Sequence, residues 1–202
     1  MNLPNALSLT RIFLVPLLVV VLLTRFEGRV IFGVRKELVG AAIFAVASLT
    51  DWLDGYLARR RGQVTGFGQV IDPLADKLLI SAALISLVQM GLAPAWMVAV
   101  IIGREFAVTG LRSLAYSRGV AMPASPLGKI KMAAQVVAIL ALIIGDDHLP
   151  GVYALGNAAL WVVLTAALVS AADYFRRFSL VASPRPADVA MPAEPRTGRK
   201  VG

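Results

Sequence analysis

Asp51-Trp52-Leu53-Asp54-Gly55-Tyr56-Leu57-Ala58-Arg59, followed eight residues later by Gly68-Gln69-Val70-Ile71-Asp72-Pro73-Leu74-Ala75-Asp76, is where this chain concentrates its acidity. Four of its twelve acidic residues stand here, and apolar runs press on the stretch from both sides. Asp51 and Asp54 are three apart, and Asp72 and Asp76 are four apart. On helices, both spacings bring two carboxylates to one face. Four carboxylates beside a lipid boundary repel one another unless positive charge sits among them, and a divalent cation with oxygen ligands is the natural candidate.

The lipid boundary follows from composition. The 202 residues are 58% hydrophobic and only 16% charged, with a mean hydropathy of +0.76. Apolar runs of about 20 residues, the length that crosses ~30 Å of hydrocarbon, recur along the chain. The expectation is an all-α integral membrane protein with six transmembrane helices. The chain contains no cysteine, which excludes disulfides, thiolate metal sites and a cysteine nucleophile. Its net charge of +8 is read as cytoplasmic-side arginines facing anionic lipid rather than as a nucleic-acid surface. The N-terminus lacks a cationic region and a small-residue cleavage site, and is read as mature sequence.

The spans are expected at about Ala6–Thr24, Leu38–Leu57, Asp72–Leu92, Ala95–Leu114, Lys129–Gly145 and Val152–Tyr174. In the third, Asp72 reads as an N-cap with Pro73 at the first helical position. Ala58–Ile71 reads as a polar loop, and Gly91-Leu92-Ala93-Pro94 as a turn. Residues 1–175 form one domain in this reading. The Pro-, Ala- and Arg-rich tail of residues 176–202 has too little apolar periodicity to fold. Six spans put both termini on one side. Arg59, Arg60, Arg61, Arg118, Lys129 and Lys131 fall on that same face, which the positive-inside rule makes cytoplasmic. Arg25, Arg29, Arg35 and Lys36 run against the rule, and part of that segment is read as an interfacial helix.

The two aspartate pairs then lie at one depth on adjacent helices, around a polar cavity open to the cytoplasm. Cations held there would clamp a pyrophosphate. Gly55 and Ala58 remove bulk where a ligand approaches, Arg59 offers a planar fork to phosphate oxygens, and Gly68 permits close approach.

These residues carry a resemblance. Asp-x-x-Asp-Gly-x-x-Ala-Arg, eight residues, then Gly-x-x-x-Asp-x-x-x-Asp is similar to the signature of the CDP-alcohol phosphotransferases at every fixed position. The resemblance covers about residues 2–175. It implies a six-helix membrane enzyme, usually a homodimer, which binds a CDP-linked substrate with Mg²⁺ or Mn²⁺, as one or two ions. Asp51, Asp54, Asp72 and Asp76 would be metal ligands, with Asp76 also the general base on the acceptor hydroxyl. Asn5, Asp51, Gly55, Ala58, Arg59 and Gly68 would line the CDP site.

Asn2-Leu3-Pro4-Asn5…Thr10-Arg11, Gly103-Arg104-Glu105-Phe106…Arg112 and Gly128-Lys129-Ile130-Lys131…Gln135 resemble the bacterial branch that joins CDP-diacylglycerol to glycerol 3-phosphate. Met132 departs from the threonine common there. Arg104, Arg112, Lys129 and Lys131 would form the pocket for the acceptor phosphate. Beside that stands a plainer reading of Arg104-Glu105 as an ion pair orienting the fourth span, and of the lysines as interfacial. Arg11 either snorkels to headgroups or reaches a ligand phosphate. Trp96 and Trp161 read as interfacial or packing aromatics, and His148 as a solvated turn residue.

Sister enzymes acting on inositol phosphate or phosphatidylglycerol share the scaffold. From a different class, a cation transporter would also use a carboxylate cluster, but it has no need of Gly55, Ala58, Arg59 and Gly68 at fixed spacing.

Overall fold

The computed structural model describes residues 3–24, 30–31, 33–61, 66–117, 126–145 and 149–182, with side chains over 9–24, 30–31, 33–50, 73–117, 131–145 and 149–176. Six helices carry the fold: α1 (Leu3–Leu23), α2 (Lys36–Arg61), α3 (Gly66–Gln89), α4 (Ala95–Ser117), α5 (Pro126–Gly145) and α6 (Pro150–Ala182). The most extensive packing joins α5 to α6 and α1 to α3, with α1 also against α2 and α4 against α6.

All six helices feed one core. Leu18 and Leu22, Phe44, Leu79 and Leu87, Met97 and Ile101, Ile139 and Leu142, and Leu160 and Val163 meet in it. The exterior is apolar as well. Phe13, Leu17, Val46, Leu49, Ile85, Val100, Val137, Leu155, Leu168 and Val169 are all exposed, at least one from each helix. The buried polar side chains include Arg11, Glu37, Lys131, Gln135 and Ser170. Water-facing surfaces rarely carry such continuous apolar area, so this exterior suits a lipid environment. Among the described residues, one stretch is long and apolar enough by itself to cross a membrane: Pro150–Arg176, 27 residues containing an 18-residue window with a mean hydropathy of 1.9. At 1.5 Å per residue it reaches about 40 Å. Leu9–Leu23 and Lys131–Gly145 are shorter apolar helices.

Several boundaries differ from the sequence reading. The third helix starts at Gly66, so Asp72 is not an N-cap and Pro73 lies inside α3. Pro73 has no N–H for the carbonyl one turn back, and the cost of that missing bond is met within a longer helix. With α2 running on to Arg61 and α3 starting at Gly66, Ala58–Arg61 and Gly66–Ile71 of the expected loop are helical. Helix α6 likewise continues to Ala182, past the boundary placed at 175.

In the first connection, Val30–Ile31 and Val34–Arg35 pair as antiparallel strands, with Val30 opposite Arg35 and Ile31 opposite Val34, so this part of it is not helical. Three β-branched residues favour strand, and Gly33 takes φ +79° at the tip. The basic residues that strained the charge rule have local work here. Lys36 Nζ donates to the carbonyls of Leu22 (3.0 Å) and Thr24 (3.3 Å), capping the C-terminal end of α1. Arg35 pairs with the buried Glu37 at 3.5 Å. Arg25 and Arg29 lie outside the described residues.

The α3–α4 turn agrees with the sequence reading. Gly91, at φ +77°, donates to Val88 O at 3.0 Å and Leu92 to Leu87 O at 2.8 Å, a Schellman closure that needs a left-handed residue. Close approach governs α5 and α6: a Cβ at Gly156 would sit 2.9 Å from the Leu142 backbone nitrogen. Trp96 and Trp161 pack edge to face across α4 and α6, with centroids 5.9 Å apart.

Candidate active site

Asp76 and Lys77 are consecutive on α3, and Ser81 follows one turn beyond Lys77. Lys131 and Gln135 are four apart on α5, and so share a face. With Ser48 of α2 and Glu105 of α4, these side chains line a cavity of about 440 Å³, whose remaining wall includes Ile80, Ile102, Met132 and Val136. The wall is mixed: Asp76, Lys77, Glu105 and Lys131 bring charge to it, and the isoleucines and Val136 bring apolar surface.

The charged part of the wall is held by a network across three helices. Glu105 Oε1 accepts from Lys131 Nζ and, at 3.1 Å, from Arg104 Nη1. Arg104 Nε donates to the Ala167 carbonyl at 3.2 Å, and Nη2 donates to Ser170 Oγ. Ser170 in turn donates to the Ala166 carbonyl at 2.7 Å. Arg104 and Glu105 are adjacent, so they leave α4 about 100° apart. One side chain turns to α6 and the other to the cavity and α5. Lys131 is only 3% exposed, and the charges of Arg104, Asp76 and Lys77 all act on it. An ammonium in such a place is expensive unless paired, and Glu105 supplies the pairing.

Of the sequence-derived site residues, the structure brings Asp76 and Lys131 together at the cavity wall. Arg104 is occupied by Ala167, Ser170 and Glu105 and does not line the cavity, which is the ion-pair arrangement weighed for it above. Arg112 is exposed on α4, and its charge acts on Lys77. Arg11 is 1% exposed, and so turned into the protein rather than snorkelling. Asp51, Asp54, Gly55, Ala58 and Arg59 stand on α2, Gly68 and Asp72 on α3, Asn5 on α1 and Lys129 on α5, and their side chains lie outside the described ones. Among the described residues no three Asp, Glu, His or Cys side chains converge.

Sequence reasoning missed Lys77, Ser81 and Ser48 as cavity residues, and used Gln135 only as a mark of resemblance. Lys77 was signalled by its place next to Asp76, and Gln135 by its i+4 spacing from Lys131. For Ser48 and Ser81 no local signal exists.

Comparison with known proteins agrees with this geometry. The profile of the CDP-alcohol phosphatidyltransferases matches residues 1–171. A Bacillus subtilis protein named CDP-diacylglycerol–glycerol-3-phosphate 3-phosphatidyltransferase is 48% identical over 182 residues, covering 87% of this chain and 94% of its own. A Rickettsia felis protein of the same name is 34% identical over 180 residues, with the same two coverages. A Mycobacterium tuberculosis protein named probable phosphatidylglycerophosphate synthase is 42% identical over 167 residues, 81% of this chain and 78% of its own. With its signature aspartates on two consecutive helices and Asp76 at the cavity wall, this chain belongs to the CDP-alcohol phosphatidyltransferase family.

Proposed function

We propose that this protein transfers the phosphatidyl group of CDP-diacylglycerol to glycerol 3-phosphate, releasing CMP and phosphatidylglycerophosphate in phospholipid biosynthesis. The observation that carries the reading is the cavity. A carboxylate, Asp76, shares its wall with the two ammonium groups of Lys77 and Lys131. The 48% identity to the Bacillus subtilis enzyme of that name supports the same substrates.

In the reaction, Asp76 takes the proton of the acceptor hydroxyl as its oxygen bonds to the β-phosphorus. The bond from that phosphorus to the CMP oxygen breaks, and CMP leaves with the electron pair. Lys131, with Lys77, Lys129 and Arg112, holds the dianionic phosphate of the acceptor. Arg104 acts at one remove, because its guanidinium is committed to α6 and to Glu105. Asn5, Asp51, Gly55, Ala58, Arg59 and Gly68 bind the CDP moiety. Asp51, Asp54, Asp72 and Asp76 are an all-oxygen donor set of the kind that suits Mg²⁺ or Mn²⁺. Held by these residues, such ions would neutralise pyrophosphate charge and stabilise the departing CMP. The apolar exterior of all six helices supports a set of membrane spans; we read them as six spans in a bacterial plasma membrane, with both termini cytoplasmic by the positive-inside rule and a homodimer as the working unit by resemblance to the family.

The test offers CDP-diacylglycerol with glycerol 3-phosphate, inositol phosphate or phosphatidylglycerol, and reads CMP release and lipid product. Turnover with glycerol 3-phosphate is expected. Turnover only with another acceptor moves the protein to a sister activity, and metal flux with no lipid product replaces the enzyme with a transporter.

A further inference from the structure

Two polar groups at the cavity are left without work by the reaction just described. Gln135 is 3% exposed, and among the described residues its Nε2 makes no hydrogen bond, nor does the buried Oγ of Ser48. Both residues line the cavity. A buried donor with no acceptor costs free energy, more so in a hydrocarbon setting, so each of these groups calls for a partner from outside the chain.

Their depth says which part of a ligand they face. Lys131 and Glu105 are in contact, and the charge of Asp76 acts on Lys131, so these three define the charged level. Gln135 stands one turn further along α5, on the way to Ile139 and Leu142 in the core. Ser48 stands one turn before Asp51 on α2, on the way to Phe44 and Ala47. One helical turn is about 5.4 Å. The donors therefore form a tier just below the charged level, where the wall becomes Ile80, Ile102 and Val136.

We infer that Ser48 and Gln135 form a subsite for an uncharged oxygen acceptor, the acyl ester carbonyl of the diacylglycerol substrate, next to the phosphate-handling end. This rests on the lipid-transfer reading above. An ester carbonyl accepts hydrogen bonds and donates none, which matches two orphaned donors. It is attached a few bonds from the phosphate and lies on the apolar side of it, which matches the tier. The hydroxyls of glycerol 3-phosphate offer the same acceptor chemistry but belong at the charged level with their phosphate.

The experiment compares the purified enzyme and its Gln135→Leu and Ser48→Ala variants on CDP-diacylglycerol and on the dialkyl ether analogue, which lacks both carbonyls. The wild type is expected to show a roughly fivefold lower KM for the ester lipid, the size of one neutral hydrogen bond. In Gln135→Leu that preference falls to about one through a rise in the ester KM alone. The KM for glycerol 3-phosphate stays put, and the melting temperature of the ligand-free variant does not fall, since no protein hydrogen bond is lost. Ser48→Ala moves the same ratio by a smaller factor. Equal KM for ester and ether in the wild type overturns the subsite, as does a variant that raises the glycerol 3-phosphate KM and keeps the ester preference. Absence of any turnover by the wild type instead defeats the lipid-transfer reading itself.

Discussion

Two clusters in this protein have the same charges and different work. At the start of α2, Arg35, Lys36 and Glu37 supply two cations and a carboxylate; between α4 and α5, Arg104, Glu105 and Lys131 do the same. In the first cluster the partners are near in sequence. Arg35 pairs with Glu37, and Lys36 caps carbonyls 14 and 12 residues back. Neither cation contributes to the cavity wall. In the second, Arg104 reaches partners 63 and 66 residues away, and Glu105 holds Lys131 beside Asp76 at the wall. Composition fails to separate the two clusters. What separates them is whether a charge is used up by local backbone or delivered to a space large enough for a substrate.

That contrast can be broken experimentally. The largest effect is expected at the carboxylate proposed as general base. Asp76→Asn should keep CDP-diacylglycerol binding and lose on the order of 10³-fold in kcat, the scale of one general base. Near-normal turnover would detach the cavity from the chemistry. Lys131→Met should raise the KM for glycerol 3-phosphate roughly 30-fold, as expected for one charge-assisted contact of about 2 kcal/mol, with a smaller change in kcat. A fall in kcat at constant KM would make Lys131 a reaction-centre group rather than a binding one.

Gly156→Ala tests the frame that carries the second cluster, because its methyl would meet Leu142 backbone 2.9 Å away. Forcing α5 and α6 apart should cost about 1–3 kcal/mol, read as a drop in melting temperature. An unchanged melting temperature would mean that the two helices slide freely. The smallest effect belongs to the outer cluster. Lys36→Gln weakens a helix cap worth about 0.5 kcal/mol and should leave both KM values as they are. A shift in acceptor KM there would dissolve the distinction between the clusters.

Much of this was legible in the residues. The apolar runs located all six helices, and Gly91 with Pro94 marked the turn that the structure closes with a left-handed glycine. The aspartate spacings placed Asp51 and Asp54 on one helix and Asp72 and Asp76 on the next. The start of α3 was misread because Asp72-Pro73 is a good local opening signal, whereas the longer helix from Gly66 overrides it. The strand pairing of Val30–Ile31 with Val34–Arg35 was not foreseen, because four nearby cations suggested an interface and the β-branched residues were given no weight.

The identity of the chemistry lies in the chain itself, since carboxylates at i, i+3 and i, i+4 share a face wherever a helix forms, and their spacing to Gly55, Arg59 and Gly68 needs no fold to be read. The division of labour among the basic residues does not. Arg104 and Lys131 look alike in sequence, each a cation near the end of an apolar run. Only packing shows that α6 offers Arg104 a carbonyl and a hydroxyl, while α5 turns Lys131 toward Asp76. Ser48 and Gln135 became visible the same way. A polar group's partners come from helices distant in sequence, so whether it is satisfied or left waiting for a ligand is decided only by the tertiary structure.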